Sequence, residues 1–201
     1  EKHKSQIFEL IKRHEFDKLL NYHNYRIGIL LDNKFKDVNY FYYIFKYCED
    51  DKIISHIMQN KKLNKGLEHL YSLASEQFLI NYINVHTKFE RATNQNWNIL
   101  HFLVKRNFID AIKALFSKNA KFKSNGITKK GYTPLAMAIK YKRYDIIKLL
   151  IDQGIDISQT VSIKGVKKRF NDKNHLVYAA YCLIPFDIIN LLKDYIKLLF
   201  Y

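Results

Sequence analysis

Two stretches of this chain, 35 residues apart, are built on one plan, and that repetition limits the possible folds more than any other feature. The later copy runs Gly131-Tyr-Thr-Pro-Leu-Ala-Met-Ala-Ile139 and continues as Asp145-Ile-Ile-Lys-Leu-Leu-Ile-Asp-Gln-Gly154. Thr133 followed by Pro134 suits a helix start, a side-chain cap and then a residue whose missing N–H is not needed at the first helical position. Leu135 and Ala138 then face inward. Asp145 opens a second helix with Ile146, Ile147, Leu149 and Leu150 on its core-facing stripe, and Gly154 supplies the left-handed residue that ends it. Thirty-five residues before Leu135 lies Leu100, inside Asn96-Trp-Asn-Ile-Leu-His-Phe-Leu-Val104, with Asp110-Ala-Ile-Lys-Ala-Leu-Phe116 and Asn119-Ala120 following in the same order. In this copy Asn98-Ile99 replaces Thr-Pro, and Asn119 replaces the glycine, a substitution that left-handed backbone tolerates.

A further step of 33 residues back reaches Leu67, and Leu67, Leu70, Leu79 and Ile83 fall where Leu100, Leu103, Ile112 and Phe116 fall in the better copy. Downstream, Lys173-Asn-His-Leu-Val-Tyr-Ala-Ala180 and Asp187-Ile-Ile-Asn-Leu-Leu192 restate the pattern, with Pro185 between the helices and 42 residues from Leu135 to its counterpart Val177. Upstream, residues 5–14 with 16–22, and 39–47 with 51–59, read as amphipathic helix pairs without the Thr-Pro run. The Gly-Tyr-Thr-Pro-Leu-Ala run and the Leu100-His101 pair resemble the ankyrin repeat, most fully over residues 94–157. The resemblance implies an all-α solenoid of about five to six helix pairs with finger loops projecting from one edge, since a single pair cannot bury its own apolar face. Residues 1–63 are expected to form divergent helical or capping repeats, and 64–201 the ankyrin repeats of one continuous solenoid.

Composition agrees with an α-rich protein. Of 201 residues 48% are hydrophobic, enough for a continuous core, while six glycines and two prolines are too few for a many-stranded β protein. Cys48 and Cys182 lie 134 residues apart with no CxxC or His/Cys cluster, so no disulfide framework or zinc site is read, and a reduced, intracellular and cytoplasmic setting is expected. No apolar run approaches the roughly 18–20 residues of a membrane span, and the basic start is not a signal peptide. Lacking an initiating methionine, the sequence is expected to be a processed product or part of a longer chain. Heavy use of Lys, Asn, Ile, Tyr and Phe suggests an AT-rich genome. Similar ankyrin proteins from such genomes include effectors that bacteria secrete into host cells, as well as proteins of protists and large viruses.

The formal charge is +15, and residues 115–175 hold 14 basic against 4 acidic side chains, which is +10 of that excess. Two groups fall in expected fingers, Lys118 to Lys130 and Lys164 to Lys173. Fingers of neighbouring repeats project on the same side, so both groups should share one edge and sum to a positive field. Such lysines either solvate the surface or form a site for an acidic partner. Phe122, Tyr132, Tyr141, Tyr144 and Phe170 are interleaved with them and suit interface anchors. The candidate partner-binding residues are Trp97, Lys121, Lys123, Lys129, Lys130, Tyr132, Lys164, Lys167, Lys168 and Arg169. Trp97, the only tryptophan, precedes a helix where ankyrin arrays often expose a contact residue; the alternative is that it packs against the next finger. The expected function is a non-catalytic interaction module, a monomer, that binds an acidic protein. Anion or nucleic-acid binding through the same edge is the alternative, although no helix-turn-helix, zinc-finger or RNP signature supports sequence readout. A second alternative is a targeting domain of a larger enzyme.

Catalytic signals are weak. His101 matches the histidine whose role in the resembled family is to brace neighbouring loops, and the next copy has Ala136 there, which argues against an array of histidines. His3, His14, His23, His56, His69, His86 and His175 show no HExxH or other metal spacing. Gly126-Ile-Thr-Lys-Lys-Gly131 lacks the phosphate-loop order and reads as a turn. Glu49-Asp50-Asp51 suits a helix start. No catalytic, cofactor or metal residue and no small-molecule substrate is assigned.

Overall fold

The structure, a computed structural model, describes residues 67–85, 95–118, 126–166, 173–182 and 184–199, with shorter stretches at 6, 9–13, 15, 18, 34–35 and 38–39. The chain divides into two compact units, Glu1–Tyr82 and Ile83–Tyr201. In the first, residues 9–12 are helical with Ile11 buried. Strands β1 (Lys34–Phe35) and β2 (Val38–Asn39) pair antiparallel, Lys34 opposite Asn39. Asn39 therefore does not open a helix, contrary to the sequence pattern; the neighbouring Phe35 and Val38 favour extended chain. Residues 40–66, including the expected helix pair there and Cys48, lie outside the described residues. Helix α1 (Leu67–Leu73) and helix α2 (Glu76–Val85) form the third copy of the repeat. Ser75 caps α2 by accepting the Phe78 N–H at 3.1 Å. Leu70 and Leu79 are buried, as are Tyr71 and Tyr82, which meet edge to face at 6.0 Å.

The second unit holds the clear copies. Helices α3 (Ile99–Arg106) and α4 (Ile109–Lys118) form one pair, α5 (Pro134–Lys140) and α6 (Tyr144–Asp152) the next, and α7 (His175–Tyr181) and α8 (Phe186–Leu199) the last. The inner helices stack α3 on α5 on α7, and α6 packs on α8. Leu100, Leu103, Leu135 and Ala138 fill the seam of the first two inner helices, while Ile112, Leu115, Ile146, Ile147, Leu150 and Ile151 bury the outer stripe. Leu149, expected on that stripe, is only half-buried.

The 35-residue period reaches the backbone. Asn107 (φ 64°) and Lys142 (φ 55°) occupy equivalent left-handed positions between inner and outer helices, and Asn96 (φ 59°) and Gly131 (φ 88°) match before them. Gly154 (φ 72°) ends α6 as expected, its N–H donating to Ile151. The insertion before α7 is closed at its base by β3 (Thr160–Val161) and β4 (Lys173–Asn174), paired antiparallel. These two-residue ladders are fastenings within a helical fold and build no sheet layer.

Candidate partner-binding face

Each finger is tied to the next through its backbone. The Lys129 N–H donates to the Gln95 carbonyl at 2.9 Å, and the Lys164 N–H to the Lys130 carbonyl at 3.0 Å. Within the middle finger, Thr128 and Tyr132 close a turn by mutual hydrogen bonds. Gly131 is forced there: a Cβ would lie 1.7 Å from the Ser162 carbonyl oxygen of the next finger. This fastening sets Lys129, Lys130 and Lys164 on adjacent fingers, all exposed. Lys121, Lys123, Lys167, Lys168 and Arg169 lie outside the described residues.

Two buried histidines stiffen the same row. Asn98 caps α3 by accepting the His101 N–H at 3.1 Å, while its own N–H donates to Nδ1 of His101 at 3.2 Å. Nε2 then donates to the Tyr132 carbonyl of the next finger at 3.2 Å. Burial pushes the imidazole down to about 4, against partial support for the proton from its backbone partners. At the following junction Thr133 caps α5, accepting the Ala136 N–H at 3.0 Å. Its hydroxyl donates to Nε2 of His175 at 2.7 Å, and Nδ1 of His175 donates to the Ile157 carbonyl at 3.2 Å. His175, given no role by its spacing, is thus a second brace, and burial likewise lowers its pKa.

Between these fastenings lies a pocket of about 200 Å³. Trp97, Tyr132 and Tyr141 wall it, Met137 and Thr128 lie at its buried floor, and Lys105, Lys130 and Lys140 rim it. Trp97 is half-buried, its ring 4.9 Å from Phe102 and 5.9 Å from His101 on its own helix, and it shares the pocket with the next finger. Lys105 stands over the Trp97 ring at 5.4 Å and Lys140 over the Tyr132 ring at 4.4 Å, with Nζ also donating to the Tyr132 hydroxyl at 2.8 Å. Trp97 with Lys105 and Tyr132 with Lys140 are the same pair of positions, eight residues apart in each copy. Lys105, Lys140 and Met137 were not among the expected site residues.

Chemistry of other kinds finds little here. Among the described residues no group of three His, Cys, Asp or Glu side chains converges as metal ligands. Cys182 is a half-buried free thiol whose pKa is raised by burial. Among the same residues no helix is long and apolar enough to cross a membrane.

Stacked helix pairs with hydrogen-bonded fingers define a repeat protein built for recognition by surface. Residues 53–161 match the family model for ankyrin repeats, in three copies. The chain therefore belongs to the ankyrin-repeat family, whose modules mediate protein–protein interaction. The match begins upstream of residue 64, where the helix-pair pattern is faint, and ends before α7 and α8, which repeat the architecture. The chain is 34% identical over 53% of its length to a protein of Acanthamoeba polyphaga mimivirus named as ankyrin repeat protein L371, of which it covers 14%.

Proposed function

We propose that this chain is a non-catalytic binding module that holds an acidic protein partner against its inner helices and basic fingers. The observation that carries the reading is the row of fingers itself. Backbone bonds from Gln95 to Lys129 and from Lys130 to Lys164 tie consecutive loops together, so the lysines they carry act as one positive edge. Such an edge raises the association rate of an acidic partner more than it lowers dissociation. Trp97 and Tyr132 add aromatic surface beside it. The mimivirus source of the relative favours a viral setting over a secreted bacterial effector.

The test is a pull-down from eukaryotic cell lysate, with and without nuclease, comparing the natural chain with Lys129→Glu, Lys130→Glu and Lys164→Glu combined. The proposal expects a discrete protein that resists nuclease and is lost on charge reversal. Recovery of nuclease-sensitive material alone would replace it with the nucleic-acid reading, in which affinity falls steeply with salt.

A further inference from the structure

The pocket between α3, α5 and their fingers combines three features that together define a ligand. Lys105, Lys130 and Lys140 surround it, no carboxylate lines it, and no ion pair between described residues includes any of the three. Its floor and walls are Met137 and three aromatic rings. At about 200 Å³ it lies below the roughly 300–1,000 Å³ of sites for drug-sized molecules, so it holds a side chain and not a cofactor.

The third feature is periodic. Trp97–Lys105 and Tyr132–Lys140 are equivalent pairs on consecutive inner helices, and packed helix axes lie about 8–10 Å apart. A peptide in polyproline II conformation returns to the same face every three residues, after about 9 Å. Going on another 42 residues from Tyr132 and Lys140 reaches Asn174 and Cys182, so the device stops after two copies. From this we infer that the two aromatic–lysine pairs read a linear acidic segment of a protein partner, lying across the inner helices in an extended, polyproline II-like form. Its carboxylates at positions i and i+3 meet Lys105 and Lys140, and one apolar side chain between them enters the pocket above Met137. This rests on the protein-binding reading above and names the segment that the reading leaves open. A single-stranded nucleic acid fits less well, because stacking platforms need bare ring faces, and here the lysines already stand over Trp97 and Tyr132.

The experiment is selection of a random displayed peptide library on the 201-residue chain, followed by titration of the selected peptides. Trp97, as the only tryptophan, reports occupancy by its own fluorescence. Selected peptides are expected to share Asp or Glu three positions apart with an apolar residue between. Lys105→Gln and Lys140→Gln should each weaken them about three- to tenfold, with Lys140→Arg restoring affinity. Acidic peptides sensitive to Lys129→Gln and Lys164→Gln but not to the pocket variants would overturn this inference and leave the basic-edge reading standing. Selection of peptides without acidic residues, or of none, would overturn both. Displacement of the peptides by single-stranded oligothymidine, with Trp97 quenched, would overturn the inference in favour of nucleic acid. Cooperative thermal unfolding of each lysine variant well above the temperature of the titration shows that these losses are not unfolding.

Discussion

The two finger junctions of the second unit solve one problem with opposite chemistry. At the first, His101 sits inside the capping box of its own helix and reaches forward, its Nε2 3.2 Å from the Tyr132 carbonyl, a contact that calls for the proton on Nε2. At the second, the equivalent place is Ala136, and His175 of the following copy reaches back, carrying its proton on Nδ1 for Ile157 and accepting from Thr133 through Nε2. The difference teaches that the array conserves the brace and not the position that supplies it. A helix cap buried at a seam needs its oxygen and N–H groups satisfied, and any imidazole that can reach will do. The tautomers are therefore predicted to be opposite, which nitrogen-15 shifts of the two rings would show directly.

The comparison breaks hardest at the second junction, where the Ser162 carbonyl of one finger closes on Gly131 of the other. Gly131→Ala places a Cβ against the Ser162 carbonyl at a left-handed residue, and should cost about 2–4 kcal/mol through overpacking and strain. Gly154→Ala is also left-handed but meets nothing within 4 Å, so about 1 kcal/mol is expected. Urea unfolding of the two variants checks this: equal losses would mean that the close approach of the fingers is not real.

Next in size are the braces themselves. His175→Ala leaves the Thr133 hydroxyl and the Ile157 carbonyl without their buried partner, and about 2–3 kcal/mol should be lost. The same loss is expected from His101→Ala. Combined with Thr133→Val, the His175 variant should be strongly non-additive, while His101→Ala with Thr133→Val should be nearly additive. Additivity in both cycles would remove the relay through Thr133.

Acid should weaken both junctions. Histidine in the unfolded chain titrates near 6.5 and folded His101 only near 4, so between these values the unfolded state binds more protons. Stability from the neutral His101 ring is fully present above that window and is lost as pH falls through it, by up to about 1.4 kcal/mol per pH unit. His175 shifts in the same direction, with Asp156 partly opposing the shift. His101→Gln should reduce the slope of stability against pH without abolishing it, as measured by urea midpoints between neutral pH and about pH 5. An unchanged slope would place the titration elsewhere in the chain.

What the sequence could show followed from fixed offsets. Thr133, Pro134, Gly131 and Gly154 announce caps and turns locally, and the apolar stripes repeat with them, so the two helix pairs of residues 99–152 and their inward residues other than Leu149 were legible. His175 was not, because the insertion that lengthens this period from 35 to 42 residues shifts it and its partner Thr133 belongs to the previous copy. Lys105 and Lys140 were hidden for another reason. The aromatic residue stands before the cap and the lysine in the last turn, and they meet because side chains lean toward the N-terminus of their own helix. Nothing at a spacing of three or four signals that contact. Tyr132 was expected as a binding residue, and its carbonyl also receives the His101 brace, so one residue both lines the pocket and holds a finger junction.

The smallest predicted effect separates those two services. Lysines poised over rings at the surface contribute about 0.5–1 kcal/mol each, and with Trp97 only half-buried Lys105→Gln should move the unfolding midpoint only slightly. Lys140→Gln removes a hydrogen bond to the Tyr132 hydroxyl as well, and a further few tenths of a kcal/mol is expected. The order, Lys140 above Lys105, is measurable by urea unfolding of the two single variants side by side. A loss of several kcal/mol from either would make that aromatic–lysine pair part of the fold, and its lysine would then be a poor contact for a partner. Losses of the expected size mean that the braces hold the fingers while the lysines remain available to an incoming carboxylate.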